Sequence, residues 1–235
     1  MTGIPGILPA CAGLSLEKEI NVLDRVLHYP QRPLVAMIGG VKLSDKAQVI
    51  EHLGKVSESI LLGGALANLF LKVQGFEIGK SRFEEAHEAD LAKRILRDLR
   101  SKIKLPLDVV VSTSLSGRPE CMSVEKVKPH QMILDIGPKT ILEYSKLMKA
   151  AKTLIWSGPF GFFENRNFSH GTFALARLFA GRGRKAFTVA GGGETSEVIN
   201  YLGLTGYICH VSTGGGAMLD YLAGRDLPGL KVLQI

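Results

Sequence analysis

The sequence predicts an α/β fold: a Rossmann-like three-layer αβα sandwich with a central, mostly parallel sheet of about six strands. Two observations predict it. Short aliphatic or β-branched runs alternate with stretches of helical period, and five of those runs pass through a glycine-rich loop into the stretch that follows. Strand-helix-strand units need crossovers, and the crossovers cover both faces of a parallel sheet.

A helical period opens the chain at 17–28. The strand at 34–38 leads through GGVKLSDK into a helix at 44–54, and the strand at 58–62 leads through GGALAN into a helix at 65–74. A charged helix at 84–101, a strand at 107–112 and a helix at 139–151 follow. The strand at 153–156 leads through SGPFGFFE into a helix at 169–180, and the strand at 185–190 leads through GGGETS into a helix at 195–202. The last strand, at 206–211, leads through STGGGA into a helix at 216–223. The Ser-, Gly- and Pro-rich piece at 112–119 reads as a connection, and no internal repeat or low-complexity tract is present.

With 235 residues the chain sits at the upper end of a single domain, long enough to bury a core without staples. Apolar residues at 46% and 27 glycines exclude a disordered or collagen-like chain. No apolar run approaches the roughly 18 residues of a membrane span. The opening MTGIPGILPACAGLSLEKE has no basic segment followed by an apolar one, so a cytoplasmic protein with no membrane partner is expected. Cys11, Cys121 and Cys209 form no CxxC pair and are expected as reduced thiols. His28, His52, His87 and His130 lack a second ligand at metal spacing, so none is assigned to a metal. The net charge of +7 suits nucleic acid, an anionic surface or a small polyanion. The basic residues Lys93, Arg94, Arg97, Arg100, Lys102 and Lys104 are interleaved with Glu88, Asp90 and Asp98 at helical spacing. That is the pattern of a solvated helix face, and no nucleic-acid partner is assigned.

In parallel sheets ligands sit outside the carboxyl ends of the strands, so the five loops are where chemistry is expected. In VAGGGETSEV, Gly191, Gly192 and Gly193 precede a helix whose first turn carries Glu194, Thr195 and Ser196. Glycine permits positive φ and close approach, and the free amides of a helix start suit an anion. A lone triplet serves equally as a tight turn; the second triplet, Gly214, Gly215 and Gly216, favours the anion reading. Lys42 and Lys46 are four residues apart, so a helix starting near Ser44 turns both toward one site. Cations there oppose the helix dipole unless a ligand such as a polyphosphate rewards them; two solvated lysines on a surface helix remain the alternative. Neither a dinucleotide fingerprint, a Walker loop nor a GxSxG elbow is present.

Taken in order, RPLVAMIGGVKLSDK, SILLGGALANLFLK, MILDIGPKT, TLIWSGPFGFFE, TVAGGGETSEV and HVSTGGGAMLDYL resemble the nucleotide-site segments of the phosphoglycerate kinase family. The likeness runs from about Leu8 to the DLPGLKVL near the end, which makes 8–235 the family's carboxy-terminal, nucleotide-binding domain and 1–7 a leader or a remnant of an interdomain connection. The resemblance implies MgATP and MgADP as ligands, with magnesium as the cofactor. It places adenine against Gly39, Gly40, Gly63, Leu134, Pro159 and Gly161, and the ribose hydroxyls on Glu164. Lys42 and Lys46 would meet the phosphates, Gly191, Gly192, Gly193 and Thr195 would cradle them, and Glu194 would bind the metal. Lys42, Gly193 and Gly216 would be the catalytic contacts of the transferring phosphoryl group.

The sequence departs from the family at three points. Glu194 stands where the family usually has Asp, and Ser157 where it commonly has Asn. The amino-terminal half that binds 3-phosphoglycerate has no counterpart, so the chain is expected to bind nucleotide and to be nearly inactive alone. A free-standing nucleotide-binding module that has lost transfer, or a scaffold with a degenerate pocket, are the competing expectations.

Overall fold

The structure, a computed structural model, describes residues 2–4, 7–83 and 87–233. Its body is a six-stranded parallel sheet in the order β3-β2-β1-β7-β8-β9. These strands are β1 (Leu34–Ile38), β2 (Ser59–Leu62), β3 (Ile103–Lys104), β7 (Thr153–Ser157), β8 (Phe187–Ala190) and β9 (His210–Val211). A smaller antiparallel sheet, in the order β5-β4-β6, is built from β4 (Asp108–Ser112), β5 (Glu120–Ser123) and β6 (Met132–Ile136).

Side-chain alternation along the strands makes the three layers. Leu34, Ala36, Ile38, Ile60, Leu62, Ile155 and Val189 pack on one face. That face is covered by α1 (Leu14–His28), α2 (Ala47–Val56), α3 (Gly64–Val73), α4 (His87–Asp98) and α8 (Gly216–Leu222). Val35, Met37, Leu61, Leu154, Trp156 and Ala190 point the other way, toward α5 (Pro138–Ala150), α6 (His170–Arg182) and α7 (Gly193–Tyr201). A period-2 strand buried on both faces is why these runs read as continuous apolar segments. A short α9 (Pro228–Lys231), with proline in its first turn, was not expected from the sequence.

The expected strand at 107–112 forms, but not in the central sheet. After Ser112 the chain turns, with Gly117 N donating to Ser114 O at 3.1 Å, and returns antiparallel as β5. A hairpin follows where a parallel strand would need a crossover, so β4 founds its own sheet and the sixth parallel strand is the two-residue β3. The small sheet is tied to the body at α5, whose N-cap, Gly137, supplies no side chain. Asp108, at the head of β4, accepts Thr140 N at 2.7 Å and Lys139 N at 3.0 Å in its place. The helix expected at 84–101 is α4; residues 84–86 lie outside the described residues. Its charges pair on the surface, Arg94 reaching Glu51 of α2 at 2.7 Å and Lys93 reaching Asp90 at 3.2 Å. The three cysteines are free thiols.

One buried phenol bridges the neighbouring strands β2 and β3. Tyr144 of α5 is 2% exposed, and its hydroxyl shares one proton between the carbonyl oxygens of Leu62 and Lys104, 2.8 Å from each. Burial pushes its ionisation well above the ordinary tyrosine range. Tyr144→Phe leaves both carbonyls without that donor, and a loss of about 1–3 kcal/mol is expected. Urea unfolding should show a lower midpoint at unchanged slope; an unchanged midpoint would mean the phenol bonds carry no net stability.

Candidate functional site

β1 and β7 are hydrogen-bonded neighbours, yet β1 leads to α2 on one face and β7 leads on to α6 on the other. That divergence opens a crevice at their carboxyl ends. The two loops cross almost in contact: Gly39 N donates to Ser157 O at 2.9 Å, and Gly40 N to Pro159 O at 2.8 Å. A Cβ on Gly39 would lie 2.0 Å from the Pro159 carbonyl oxygen, so no larger residue fits the crossing.

Lys46 sits beneath this crossing. Its ammonium donates to Gly39 O at 2.6 Å and lies 3.4 Å from Ser157 O, and the residue is 9% exposed. Burial lowers its pKa to about 8, against the opposing pull of the Glu194 and Asp45 carboxylates. The helix expected to start near Ser44 starts later. Buried Leu43 anchors a turn closed by Lys46 N donating to Leu43 O at 2.9 Å, so α2 starts only at Ala47. Lys46 becomes its N-cap, while Lys42 stands exposed before the turn.

On the far side of the crevice, α7 starts at Gly193. Gly192, at φ +102°, is its N-cap, and no side chain caps the helix. Like those of any helix start, its first amides have no intrahelical partner, and Glu194 in this turn lines the cleft. Buried Thr195 is held instead by its own hydroxyl, which accepts Gly158 N at 2.7 Å and ties α7 to the β7 loop. Exposed Glu194 lies in that same first turn. The three glycines differ in use. A Cβ on Gly191 would lie 2.0 Å from the Met218 sulfur, so this glycine serves the packing of α8, whereas a Cβ on Gly193 would meet nothing within 4 Å.

From Gly40 and Glu194 a cleft of about 420 Å³ runs outward between the parallel sheet and the small sheet. Its walls are largely apolar, with Pro106, Val109, Leu115, Leu134, Pro159 and Phe160, and Glu164 stands on its rim. Of the expected residues, Gly40, Leu134, Pro159, Gly161, Glu164 and Glu194 line it together. Gly39, Lys42, Lys46, Gly63, Gly191, Gly192, Gly193 and Thr195 are not in its lining. Gly63 makes room for the Phe160 ring, 2.2 Å from where its Cβ would be, and its neighbour Gly64 takes the lining position. Gly216 begins α8 beyond the lining. The loop before it is held by Glu19 of α1, which accepts the Ser212 hydroxyl and Thr213 N at 2.8 Å each and lies 3.2 Å from His210.

Sequence reasoning missed a carboxyl group in the cleft wall. Asp135 of β6 is 2% exposed; its Oδ2 accepts Gly171 N at 2.7 Å at the start of α6, and its Oδ1 accepts Ile136 N at 2.9 Å. A Cβ on Gly161 would lie 2.2 Å from Oδ1, which explains that glycine. The signal was a single acid inside the apolar run MILDI. Burial raises its pKa to about 7, although both amide bonds favour the carboxylate.

Comparison with known proteins follows the same outline. The family model described as phosphoglycerate kinase matches residues 1–225. The chain belongs to the phosphoglycerate kinase family. The phosphoglycerate kinase of Pelotomaculum thermopropionicum is 43% identical over 236 residues, spanning 98% of this chain and 59% of that protein. That of Solibacter usitatus is 44% identical, spanning 96% of this chain and 57% of that protein. The structure of phosphoglycerate kinase from Coxiella burnetii superposes with a TM-score of 0.94 at 39% identity, covering 99% of this chain and 61% of that one. The chain thus spans about three-fifths of the length of the phosphoglycerate kinases it matches.

Asp135 gives the site a pH dependence. Its folded pKa is raised from 3.8 to about 7, so its contribution to stability is full below about pH 3.8 and is lost as pH rises through about 7. Thermal unfolding from pH 4 to 8 should show this fall in the wild type. In Asp135→Asn that component of the slope should vanish, whatever the variant's absolute stability; an identical slope in both would place the titration elsewhere.

Proposed function

We propose that residues 8–235 are the nucleotide-binding half of a phosphoglycerate kinase. In this reading the domain holds MgADP or MgATP in the cytoplasm while a phosphoryl group passes between ADP and the acyl phosphate of 1,3-bisphosphoglycerate in glycolysis. The observation that supports it most is the continuity of two unlike surfaces. The uncapped start of α7 beside the Lys46 and Glu194 charges opens directly into an apolar cleft with a carboxylate on its rim. A nucleotide has that same division: an anionic end, a diol and a flat apolar base.

In the forward direction an oxygen of the ADP β-phosphate attacks the acyl-phosphate phosphorus. The bond between that phosphorus and the acyl oxygen breaks, leaving ATP and the carboxylate of 3-phosphoglycerate. Negative charge spreads over the equatorial oxygens of the moving group, so catalysis is mostly positioning and field. Lys42, exposed on the loop after β1, is suited to follow the moving group, while Lys46 holds the two loops in register and adds fixed positive charge. The α7 amides take the phosphates that do not move, and Glu164 takes the ribose hydroxyls.

Among the described residues no cluster of three or more His, Cys, Asp or Glu is placed to hold a metal. This fits magnesium arriving with the nucleotide, since that ion is held by one or two carboxylates together with phosphates and water. Glu194 is the exposed carboxylate in position, and the ion would supply charge neutralisation between the phosphates. The phosphoglycerate site would come from the part of the relatives' length that this chain does not span, and no helix among the described residues is long and apolar enough to cross a membrane. Turnover by this chain alone is therefore expected to be very low, because both ligands must be held in line.

Calorimetric titration with ADP and ATP tests the reading. Binding strengthened by magnesium is expected, and in Glu194→Gln that strengthening should be largely lost while affinity in EDTA stays the same. An equal loss in both conditions would remove Glu194 from the metal, and no binding of either nucleotide up to millimolar concentration would remove the reading. Joined to a phosphoglycerate-binding domain, Lys42→Ala should lower turnover at least about tenfold more than it lowers nucleotide affinity. Equal losses would make it a ground-state contact only.

A further inference from the structure

α4 and the residues after it are bonded to α2 at its start, its middle and its end. Lys102, beyond the end of α4, donates its Nζ to Gly54 O at 2.6 Å, and Arg94 reaches Glu51 at 2.7 Å. At the start, Glu88 in the first turn of α4 accepts Ser44 N on its Oε1 at 2.7 Å, across 44 positions of the chain. Negative charge thus faces the start of α2 and positive charge its end, the arrangement that a helix dipole favours.

The bonds differ in their surroundings. Arg94 and Glu51 are exposed, where such a pair contributes little. Glu88 is 2% exposed, and its Oε2 is buried with no hydrogen-bond partner among the described residues. Ala92 and Ile95, one and two turns further along the same face of α4, are fully buried in the apolar core. An apolar side chain at position 88 would continue that stripe without burying a half-satisfied carboxylate. It could not hold Ser44 N.

That amide lies between Lys42 and Lys46. The loop is fixed on one side by Gly40 N on Pro159 O and on the other by the Lys46 ammonium on Gly39 O, and Val41 lines the cleft. Between those points Leu43 is buried, whereas Lys42 and Ser44 are exposed. The Glu88 bond reaches this exposed stretch from outside the loop, with a charge-assisted acceptor.

We propose that Glu88 is a positioning residue for the phosphate end of the site: by holding Ser44 N it fixes the course of the loop from which Lys42 reaches the terminal phosphate of a nucleoside triphosphate. The inference rests on the nucleotide reading above and adds to it a residue that acts through Lys42 and touches no ligand.

The test is calorimetric titration of the full chain with magnesium ATP and magnesium ADP, with urea unfolding of each variant alongside. Glu88→Met fills a similar space but cannot accept the amide; it should weaken ATP about threefold to tenfold and ADP less than about twofold. Glu88→Gln, whose amide oxygen still accepts Ser44 N, should keep the wild-type ratio of ATP to ADP affinity. In a Lys42→Ala background, adding Glu88→Met should leave that ratio unchanged, because the effect passes through Lys42. A lower urea midpoint in Glu88→Met at an unchanged ratio would reduce the residue to a structural contact and overturn the proposal. Equal weakening of both nucleotides, no rescue by Glu88→Gln, or the same loss of ATP affinity with and without Lys42 would also overturn it. If the wild type binds neither nucleotide, the nucleotide reading falls and the Glu88 role with it; if the wild type binds both and Glu88→Met binds them alike, only the Glu88 role falls.

Discussion

The Lys46 ammonium lies where β1 and β7 end, bonded to the Gly39 carbonyl oxygen and 3.4 Å from that of Ser157. Two adjacent parallel strands whose connections leave on opposite faces part company at their ends: Ser157 O still accepts Gly39 N, and the next carbonyl of the β1 loop, Gly39 O, turns to the ammonium. A buried cation thus ties the two chain ends to one point. The cost is desolvation, visible in a pKa pulled down to about 8, and it is offset in part by Glu194 and Asp45. The charged form still dominates near neutral pH, so the crevice holds a positive charge fixed in place. The Gly39–Pro159 crossing, the Thr195 hydroxyl on Gly158 and the register of both loops are built around that point.

The glycines of the five loops fall into two physical groups. Gly39, Gly63, Gly161 and Gly191 are glycines because a side chain would strike a neighbouring backbone, ring, carboxylate or sulfur, so they set the shape of the crevice. Gly193 has open space around it, and Gly192 takes a positive φ that turns the chain into α7. Only this second kind leaves backbone amides accessible to an anion. A glycine triplet before a helix therefore mixes both roles, with Gly191 under α8 and Gly193 at the helix start.

The sequence was most legible where burial is two-sided and least where partners lie far along the chain. The continuous run LVAMI could hardly be anything but an interior strand, and it is strand 34–38 to the residue. The run at 107–112 looked equivalent, because hydrophobic pattern reports burial and not which sheet provides it; the hairpin that follows decided its membership. In the site, the carboxylate on the rim was implied only by the family resemblance, whereas the helix start could be anticipated from the glycine-rich loop. Lys46 as a clamp could not, since its acceptors are carbonyls, one of them 111 residues away. Asp135 carries no local motif, and its bonds come from β6 and the start of α6 meeting at one wall.

Placement of the ligand at the switch point between β1 and β7 is most directly tested by amide hydrogen exchange of the whole chain with and without saturating magnesium ADP, read by mass spectrometry. Slower exchange is expected in the peptides covering 39–46, 157–164 and 191–196, and along β6 in the cleft wall, with little change in β5 and α9. Protection confined to other segments, or none at nucleotide concentrations that saturate binding, would contradict a nucleotide site in this crevice.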